Sequence, residues 1–319
     1  MPKSLPRSLE ARAGVSLRPY TTLRAGGPAE WFVGVANVEQ FAQAAITAQR
    51  EGLPTTMLGA GSNVLPADAG VSGLVIYNRA RRVAVARSGE VLADTGCLLQ
   101  DLFLKTAQMG LGGLEFTVGI PGTLGGALVS NAGAYRSNVS EFLTELEIVH
   151  EGARRWVEPA WMEFSYRDSI LRRPNPPACA VLRVRMRLPR KVRKAIFDEA
   201  REYQRQRIAR QPAPASAGSF FKNVNDLELA ARLPGLPERF KTSGVVPAGY
   251  LIEAAGMKGH RLGGAMFGVL HANFILNVGG ASATEIRELA ELGKREVRRR
   301  CRAELEEEVL YLGNWRATA

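Results

Sequence analysis

The chain has 319 residues, 46% hydrophobic content and a formal charge of +11, enough apolar material for a large core and length for about two domains or three small subdomains. Its three cysteines, Cys97, Cys179 and Cys301, are scattered with no C-x-x-C pair, which argues against a disulfide framework and a metal site. No run of about 18 apolar residues occurs, and the basic N-terminal stretch has no apolar segment behind it. The expectation is therefore a cytoplasmic protein with neither membrane insertion nor a secretory signal.

In chain order, the first element expected is a helix over Val38–Glu51, capped by Asn37, with Gln40 at the capping-box position and Gly52 at its end. Phe41, Ala44, Ala45 and Ala48 give it one apolar face. Strands follow at Thr55–Leu58 and Gly73–Tyr77, then a hairpin of 83–85 with 91–94 around Ser88-Gly89. Leu98–Met109 reads as a helix stopped by Gly110 and Gly112. A second hairpin pairs 146–150 with 155–158. Residues 180–188 alternate strictly, Leu182, Val184, Met186 and Leu188 against Arg183, Arg185 and Arg187, as a half-buried strand does. A charged helix over Lys191–Arg210 ends at Gln211-Pro212-Ala213-Pro214, the best candidate linker. Beyond it lie a helix near Ala248–Ala255, a strand at Phe274–Asn277, a long helix opened by the Ser282-x-x-Glu285 capping box, and a strand at Val309–Leu312. Strands and helices mix without βαβ alternation, so the fold class is α+β.

The basic charge is mostly arginine spread along the chain, densest at 187–194 and 295–302, on or beside these helices. A solvated surface explains most of it, and long-range attraction of an anionic nucleotide is the functional use it permits. Aromatic residues do not interleave these runs, so no nucleic-acid partner is expected.

Five stretches invite chemistry. Leu58-Gly59-Ala60-Gly61-Ser62-Asn63-Val64 is a strand feeding a turn whose backbone N–H groups can converge on phosphate. It is neither G-x-G-x-x-G nor a P-loop, and an ordinary tight turn remains an alternative. Gly119-Ile120-Pro121-Gly122-Thr123-Leu124-Gly125-Gly126, followed by Ser130 to Tyr135 with Ala132 and Gly133, suggests backbone packed against a flat or anionic ligand. In Ser165-Tyr166-Arg167-Asp168-Ser169, Arg167 reads equally as a surface residue and Asp168 as a turn cap. Ala217-Gly218-Ser219-Phe220-Phe221-Lys222-Asn223 is not a G-x-S-x-G elbow, so it does not mark a serine hydrolase. In the acidic run Glu304 to Glu308, the glutamate that enters a strand is the one to be buried.

In this order, together with Tyr20-Thr21-Thr22-Leu23-Arg24-Ala25-Gly26-Gly27-Pro28, Ala248-Gly249-Tyr250-Leu251-Ile252-Glu253 and His271-Ala272-Asn273-Phe274, these stretches resemble the UDP-N-acetylenolpyruvoylglucosamine reductases over about 300 residues. The resemblance implies an FAD-binding fold of the vanillyl-alcohol-oxidase type in two subdomains, 17–78 and 79–189. A tail, 1–16, precedes them and a smaller α+β substrate domain, 190–319, follows. It implies the subtype without a tyrosine-bearing lid insertion. Val224, Gly268 and Leu270 depart from the family's usual proline, serine and lysine.

The resemblance also implies a two-step reaction. NADPH reduces the flavin, and the flavin then reduces the enolpyruvyl ether of UDP-N-acetylglucosamine. By motif match Arg167 holds the carboxylate, a protonated Glu308 stabilises charge developing at C2, and Ser219 donates the proton. Lys222 is the candidate to polarise Ser219. Arg207 and Arg210 fall where the family binds diphosphate, and Asn63, Tyr166, Lys222 and Asn223 are further substrate contacts. The glycine turns, Leu58 to Val64 and Gly119 to Gly126 with Ala132 and Gly133, are expected to cradle FAD. A tethered-flavin oxidase of the same fold is the alternative, but His150, His260 and His271 lie outside the glycine turns, so FAD is expected to be non-covalent. A monomer is expected.

Overall fold

The computed structural model describes residues 9–209 and 211–315. They form two compact units. The first holds Ala29–Gly61 and Ser72–Ala209 with the described part of Met1–Val15, and the second holds Ser16–Pro28, Ser62–Val71 and the described part of Arg210–Ala319.

In the first unit, helix α1 (Val38–Arg50) starts where Asn37 accepts the Gln40 N–H. Gln40 reaches back to the N–H of Ala36, one residue before the cap, so the reciprocal half of the expected box is displaced by one position. Its apolar stripe of Phe41, Ala44, Ala45 and Ala48 is buried with Leu74, Ile76, Ala180 and Leu182. Strands Arg12–Ser16, Pro28–Val35, Val71–Asn78 and Thr55–Leu58 form one sheet in that order, the last two parallel with Leu58 opposite Tyr77.

A second, antiparallel sheet runs in the order Ala153–Val157, Leu143–His150, Cys179–Arg187, Glu90–Asp94, Val83–Val85. The predicted alternation holds. Ala180, Leu182, Val184 and Met186 are buried, while Arg183 and Arg185 stack on Trp156 on the other face and pair with Glu147 and Glu145. Helices α2 (Leu99–Gln108), α3 (Leu124–Val129) and α4 (Arg193–Ile208) complete the unit.

Helix α4 begins two residues later than expected, and it packs in this unit, not with the chain that follows it. Its buried Ile196 and Ala200 join the core of Leu102, Phe103 and Leu188, and Phe197 meets Phe103 edge-on at 6.1 Å. Lys191 adds ion pairs to Glu115 at 3.0 Å and to Glu199.

The second unit gathers α5 (Leu227–Arg232), α6 (Glu238–Ser243), α7 (Ala248–Ala254) and α8 (Ala283–Cys301) on a sheet ordered Ala215–Ser219, Phe274–Asn277, Ala265–Phe267, Arg261–Leu262. Phe220, Phe221, Ile252, Phe267 and Leu289 fill its core. The Ser282–Glu285 capping box forms as read, a device typically worth about 0.5–2 kcal/mol. Asp68 adds a second cap, accepting from the Ala283 and Thr284 amides and the Thr284 hydroxyl at 2.7–2.9 Å. Burial alone would raise the Asp68 pKa, but these hydrogen bonds outweigh it and hold the carboxyl below its ordinary range. Two segments remote in sequence belong here because Leu23, Ala25 and Leu65 are part of this core and strand Val64–Pro66 pairs in parallel with Leu310–Leu312.

Candidate functional site

The called residues form two clusters, one in each unit. Residues 58–61 of the first glycine turn lie in the first unit and 62–64 in the second.

In the first unit the two glycine turns abut. A Cβ on Gly59 would stand 2.2 Å from the Thr123 hydroxyl, so only glycine permits the approach. Thr123 caps α3 by accepting the Gly126 N–H at 3.4 Å, and the Gly125 N–H is held by the Thr95 carbonyl at 2.8 Å. Ile120, Pro121 and Gly122 form the exposed-to-half-buried lip of this turn. Above Gly126 a Cβ would meet nothing nearer than Thr123 Oγ1 at 3.7 Å, leaving the backbone open to a flat ligand.

The loop carrying Tyr166 and Arg167 is fastened to the adjacent 129–133 segment by three side chains. Buried Ser169 donates to the Val129 carbonyl at 2.7 Å, Asn131 donates to the Ser165 carbonyl at 3.0 Å, and Arg167 Nη2 donates to the Gly133 carbonyl. Ser169, not Asp168, caps the following turn. Arg167 has φ +54°, a left-handed conformation held by these anchors, and Tyr166 is exposed beneath its guanidinium at 5.3 Å. Ala132 is pinned through its N–H to the Ala127 carbonyl at 2.8 Å.

Arg207, on the last turn of α4, lies along the second glycine turn. Its Cδ would be 3.0 Å from a Cβ on Gly119, its Nη2 donates to the Phe116 carbonyl at 3.3 Å, and its guanidinium sits 5.8 Å over Tyr135. Its Nε is buried with no acceptor among the described residues. Burial lowers its pKa from the ordinary value and the charge of Arg167 pushes the same way, opposed by Tyr135. Two guanidinium groups, one with an unsatisfied donor, thus converge beside the glycine turns. Such an arrangement can take an anion as counter-charge.

Behind them Tyr135 stacks flat on Tyr203 at 3.7 Å and donates to the Tyr203 carbonyl at 3.2 Å. Tyr203 donates to Glu199 at 2.8 Å, and burial first, then that bond, push its phenol up to about 12. Arg210 lies outside the described residues.

In the second unit, Ser219 and Glu308 are brought onto neighbouring extended segments. The Glu308 N–H donates to the Phe220 carbonyl at 2.8 Å, Phe221 pairs with Glu307, and the Lys222 N–H donates to the Glu306 carbonyl at 2.8 Å. On the other side Ser219 pairs with Phe274. Along that ladder Ser216 opposes Leu276, so the strand of Ser219 carries one extra residue. Gly218, with φ +78°, sits in this bulge. A β-strand reverses facing at each residue, so the extra residue decides on which face Ser219 emerges.

Asn63 holds the other end of the pair. Its Nδ2 donates to the Glu308 carbonyl at 3.0 Å, and its own carbonyl accepts from Leu310 at 3.0 Å, beside Ser62 and Val64 on the same strand entry. Lys294 of α8 bridges Glu307 at 2.9 Å and Glu291 at 3.2 Å. The contact Lys222 makes in this structure is an ion pair. Its ammonium is paired with Glu306 at 2.5 Å. Asn223 is exposed, with its Oδ1 accepting the Ala248 N–H at 3.2 Å at the start of α7.

Four residues escaped the sequence reading. Asn131 and Tyr135 lie in a quoted motif but carry no local sign of their anchoring roles. Tyr203 sits on a helix whose sequence looks uniformly charged. Asn273, within the His-Ala-Asn-Phe match, is buried behind Ser219.

Comparison with known proteins converges on one family. Residues 210–312 match the model for the C-terminal domain of UDP-N-acetylenolpyruvoylglucosamine reductase, and residues 29–155 match an FAD binding domain. The chain is 39% identical to a UDP-N-acetylenolpyruvoylglucosamine reductase of Synechococcus sp. (strain JA-3-3Ab), covering 95% of this chain and 92% of that one. Against the protein of the same name from Bacillus subtilis (strain 168) it is 34% identical, covering 94% and 93%. The crystal structure of the reductase from Thermus caldophilus superposes with a TM-score of 0.75 at 34% identity, covering 95% of this chain and 99% of that chain.

Proposed function

This chain belongs to the UDP-N-acetylenolpyruvoylglucosamine reductase family, and from that premise we propose that it reduces the enolpyruvyl ether of UDP-N-acetylglucosamine to UDP-N-acetylmuramate with NADPH, for peptidoglycan precursor synthesis. The glycine turns would hold FAD non-covalently, and it would supply the hydride chemistry that links NADPH oxidation to reduction of the enol ether. The observation that carries the reading is the convergence of Arg167 and Arg207, with its unsatisfied Nε, on the glycine turns. An anionic nucleotide ligand supplies the missing acceptor and charge.

In this reading Leu58 to Val64, Gly119 to Gly126, Ala132 and Gly133 hold the cofactor. Arg167 grips the substrate carboxylate as a fork, next to Tyr166, and Arg207 with Arg210 takes the diphosphate. Ser219 donates a proton to C2. Glu308, protonated, stabilises the negative charge that develops there, on a backbone fixed at its N–H by Phe220 and at its carbonyl by Asn63. Lys222 exchanges Glu306 for the anionic ligand, and Asn223 contributes its exposed amide. The functional division proposed is 17–78 and 79–189 for the flavin and 190–319 for the substrate, with 1–16 outside them; the compact units cut it differently, since Arg12–Ser16 is a sheet strand, residues 17–28 and 62–71 fall in the second unit and α4 in the first. A monomer is the oligomeric state proposed. NADPH and UDP-sugars are cytoplasmic metabolites, which supports that compartment.

A flavin oxidase of the same fold is the alternative. The relatives named above are reductases over more than nine-tenths of this chain, which favours the reductase. One experiment separates the two. The purified yellow protein, reduced anaerobically by NADPH, is expected to be reoxidised rapidly by the enolpyruvyl ether and only slowly by oxygen, and acid is expected to release free FAD. Fast oxygen-driven turnover of a simple sugar, with no reoxidation by the enol ether, refutes the proposal.

A further inference from the structure

Ser219 is a proton donor whose aim depends on a one-residue bulge, so whatever fixes the chain just after it controls the reaction. On the side opposite the Glu306–Glu308 segment, Asn273 does this. Asn273 is 3% exposed and makes three hydrogen bonds to the two residues that follow Ser219. Its backbone carbonyl accepts the Phe220 N–H at 2.7 Å. Its side chain closes a two-point ring on Phe221, Oδ1 accepting the N–H at 3.0 Å and Nδ2 donating to the carbonyl at 2.9 Å.

The grip extends to the second member of the pair, because the Phe220 carbonyl accepts the Glu308 N–H at 2.8 Å. Asn273 is itself set by a tight turn, its N–H donating to His271 Nδ1 at 3.3 Å. An asparagine amide matches a peptide unit donor for acceptor, so it serves Phe221 as a ladder partner just past Ser219, where the pairing of strand Ala215–Ser219 ends. Burial of the site removes water as a substitute partner.

We propose that Asn273 is a positioning residue that holds Ser219 and Glu308 in register for proton transfer, an inference that rests on the function proposed above. Asn273 works through the backbone of Phe220 and Phe221, and a shift of about 1 Å at a reacting group can cost on the order of 100-fold in rate.

The test uses the flavin-loaded enzyme and its two half-reactions, measured by stopped-flow flavin absorbance. For Asn273→Ala, reduction by NADPH is expected within about 2-fold of wild type, and reoxidation by the enolpyruvyl ether is expected to fall roughly 10- to 100-fold. Asn273→Asp, which keeps the acceptor for the Phe221 N–H, is expected to fall between. In the Ser219→Ala background, Asn273→Ala is expected to slow reoxidation by clearly less than it does in wild type, because one of the two groups it aims is gone. An additive loss in that double variant, or equal slowing of both half-reactions, overturns the inference and leaves Asn273 as a fold element. So does failure of both single variants to retain flavin. A wild type that never reoxidises with the enol ether sinks the functional reading first, and the inference with it. A wild type that turns over, matched by an equally fast Asn273→Ala enzyme, sinks the inference alone.

Discussion

Arg207→Met separates two roles that this side chain combines. Its Nε is a buried donor with no acceptor among the described residues, and such a group costs roughly 1–3 kcal/mol. Against that stand a long hydrogen bond to the Phe116 carbonyl at 3.3 Å, on the order of 0.5–1.5 kcal/mol, and the packing over Tyr135, about 0.5–1 kcal/mol. Methionine keeps much of the apolar stem and removes the desolvated charge, so these terms nearly cancel. Folding stability is therefore expected to change by less than about 1.5 kcal/mol, a shift within about 6 °C in the melting temperature of a unit this size.

Binding is not expected to cancel. A hydrogen bond to a charged group is worth about 1.5–3 kcal/mol. At 1.36 kcal/mol per decade, that predicts a KM for the enolpyruvyl ether roughly 10- to 150-fold higher. The assay pairs steady-state kinetics with a thermal melt followed by flavin fluorescence. A variant that melts far below wild type while its KM stays put refutes the argument and makes Arg207 a strut between α4 and the second glycine turn.

Glu308→Gln is expected to leave flavin reduction by NADPH nearly intact and to slow reoxidation at least about 100-fold, while Ser219→Cys retains part of the rate that Ser219→Ala loses; stopped-flow traces of both half-reactions decide. Gly218→Ala forces an L-residue to φ +78° with no steric neighbour, so chemical denaturation is expected to report about 1–2 kcal/mol of lost stability along with slower reoxidation. Gly14→Ala, at φ +65° and equally uncrowded, is the control: a similar backbone penalty with normal turnover. Burial, and then the nearby Asp94 and Asp101, push the Cys97 thiol from 9.0 up to about 12. A raised folded pKa gives stability that is complete below the unfolded value and is lost as pH rises toward the folded one. Between about pH 9 and pH 10.5, Cys97 is expected to account for roughly 2 kcal/mol of alkaline destabilisation that Cys97→Ala lacks, measured by urea melts at each pH.

What the sequence determined by itself was local. The caps at Asn37 and Ser282, the alternation of 180–188 and the strand at Phe274–Asn277 are set by residues within a few positions of one another, and they stand in the structure as read. The ordered motifs also fixed the family, because their joint order over the chain is far more specific than any one turn.

Tertiary structure decided which surfaces those elements share. Helix α4 reads as charged along its length, yet two buried residues, Ile196 and Ala200, assign it to the first unit. Residues 16–28 and 62–71 join the second unit through Leu23, Ala25 and Leu65 and a parallel pairing with strand Leu310–Leu312, whose two partners are far apart in the chain. The bulge at Gly218 is a mismatch of count between two strands, and a count on one strand does not reveal it. The orphaned Nε of Arg207 and the grip of Asn273 on Phe221 are likewise properties of what lies nearby in space. Local periodicity fixes which element forms and which face is apolar; only packing fixes which polar atoms are cut off from water and which partners they then must find.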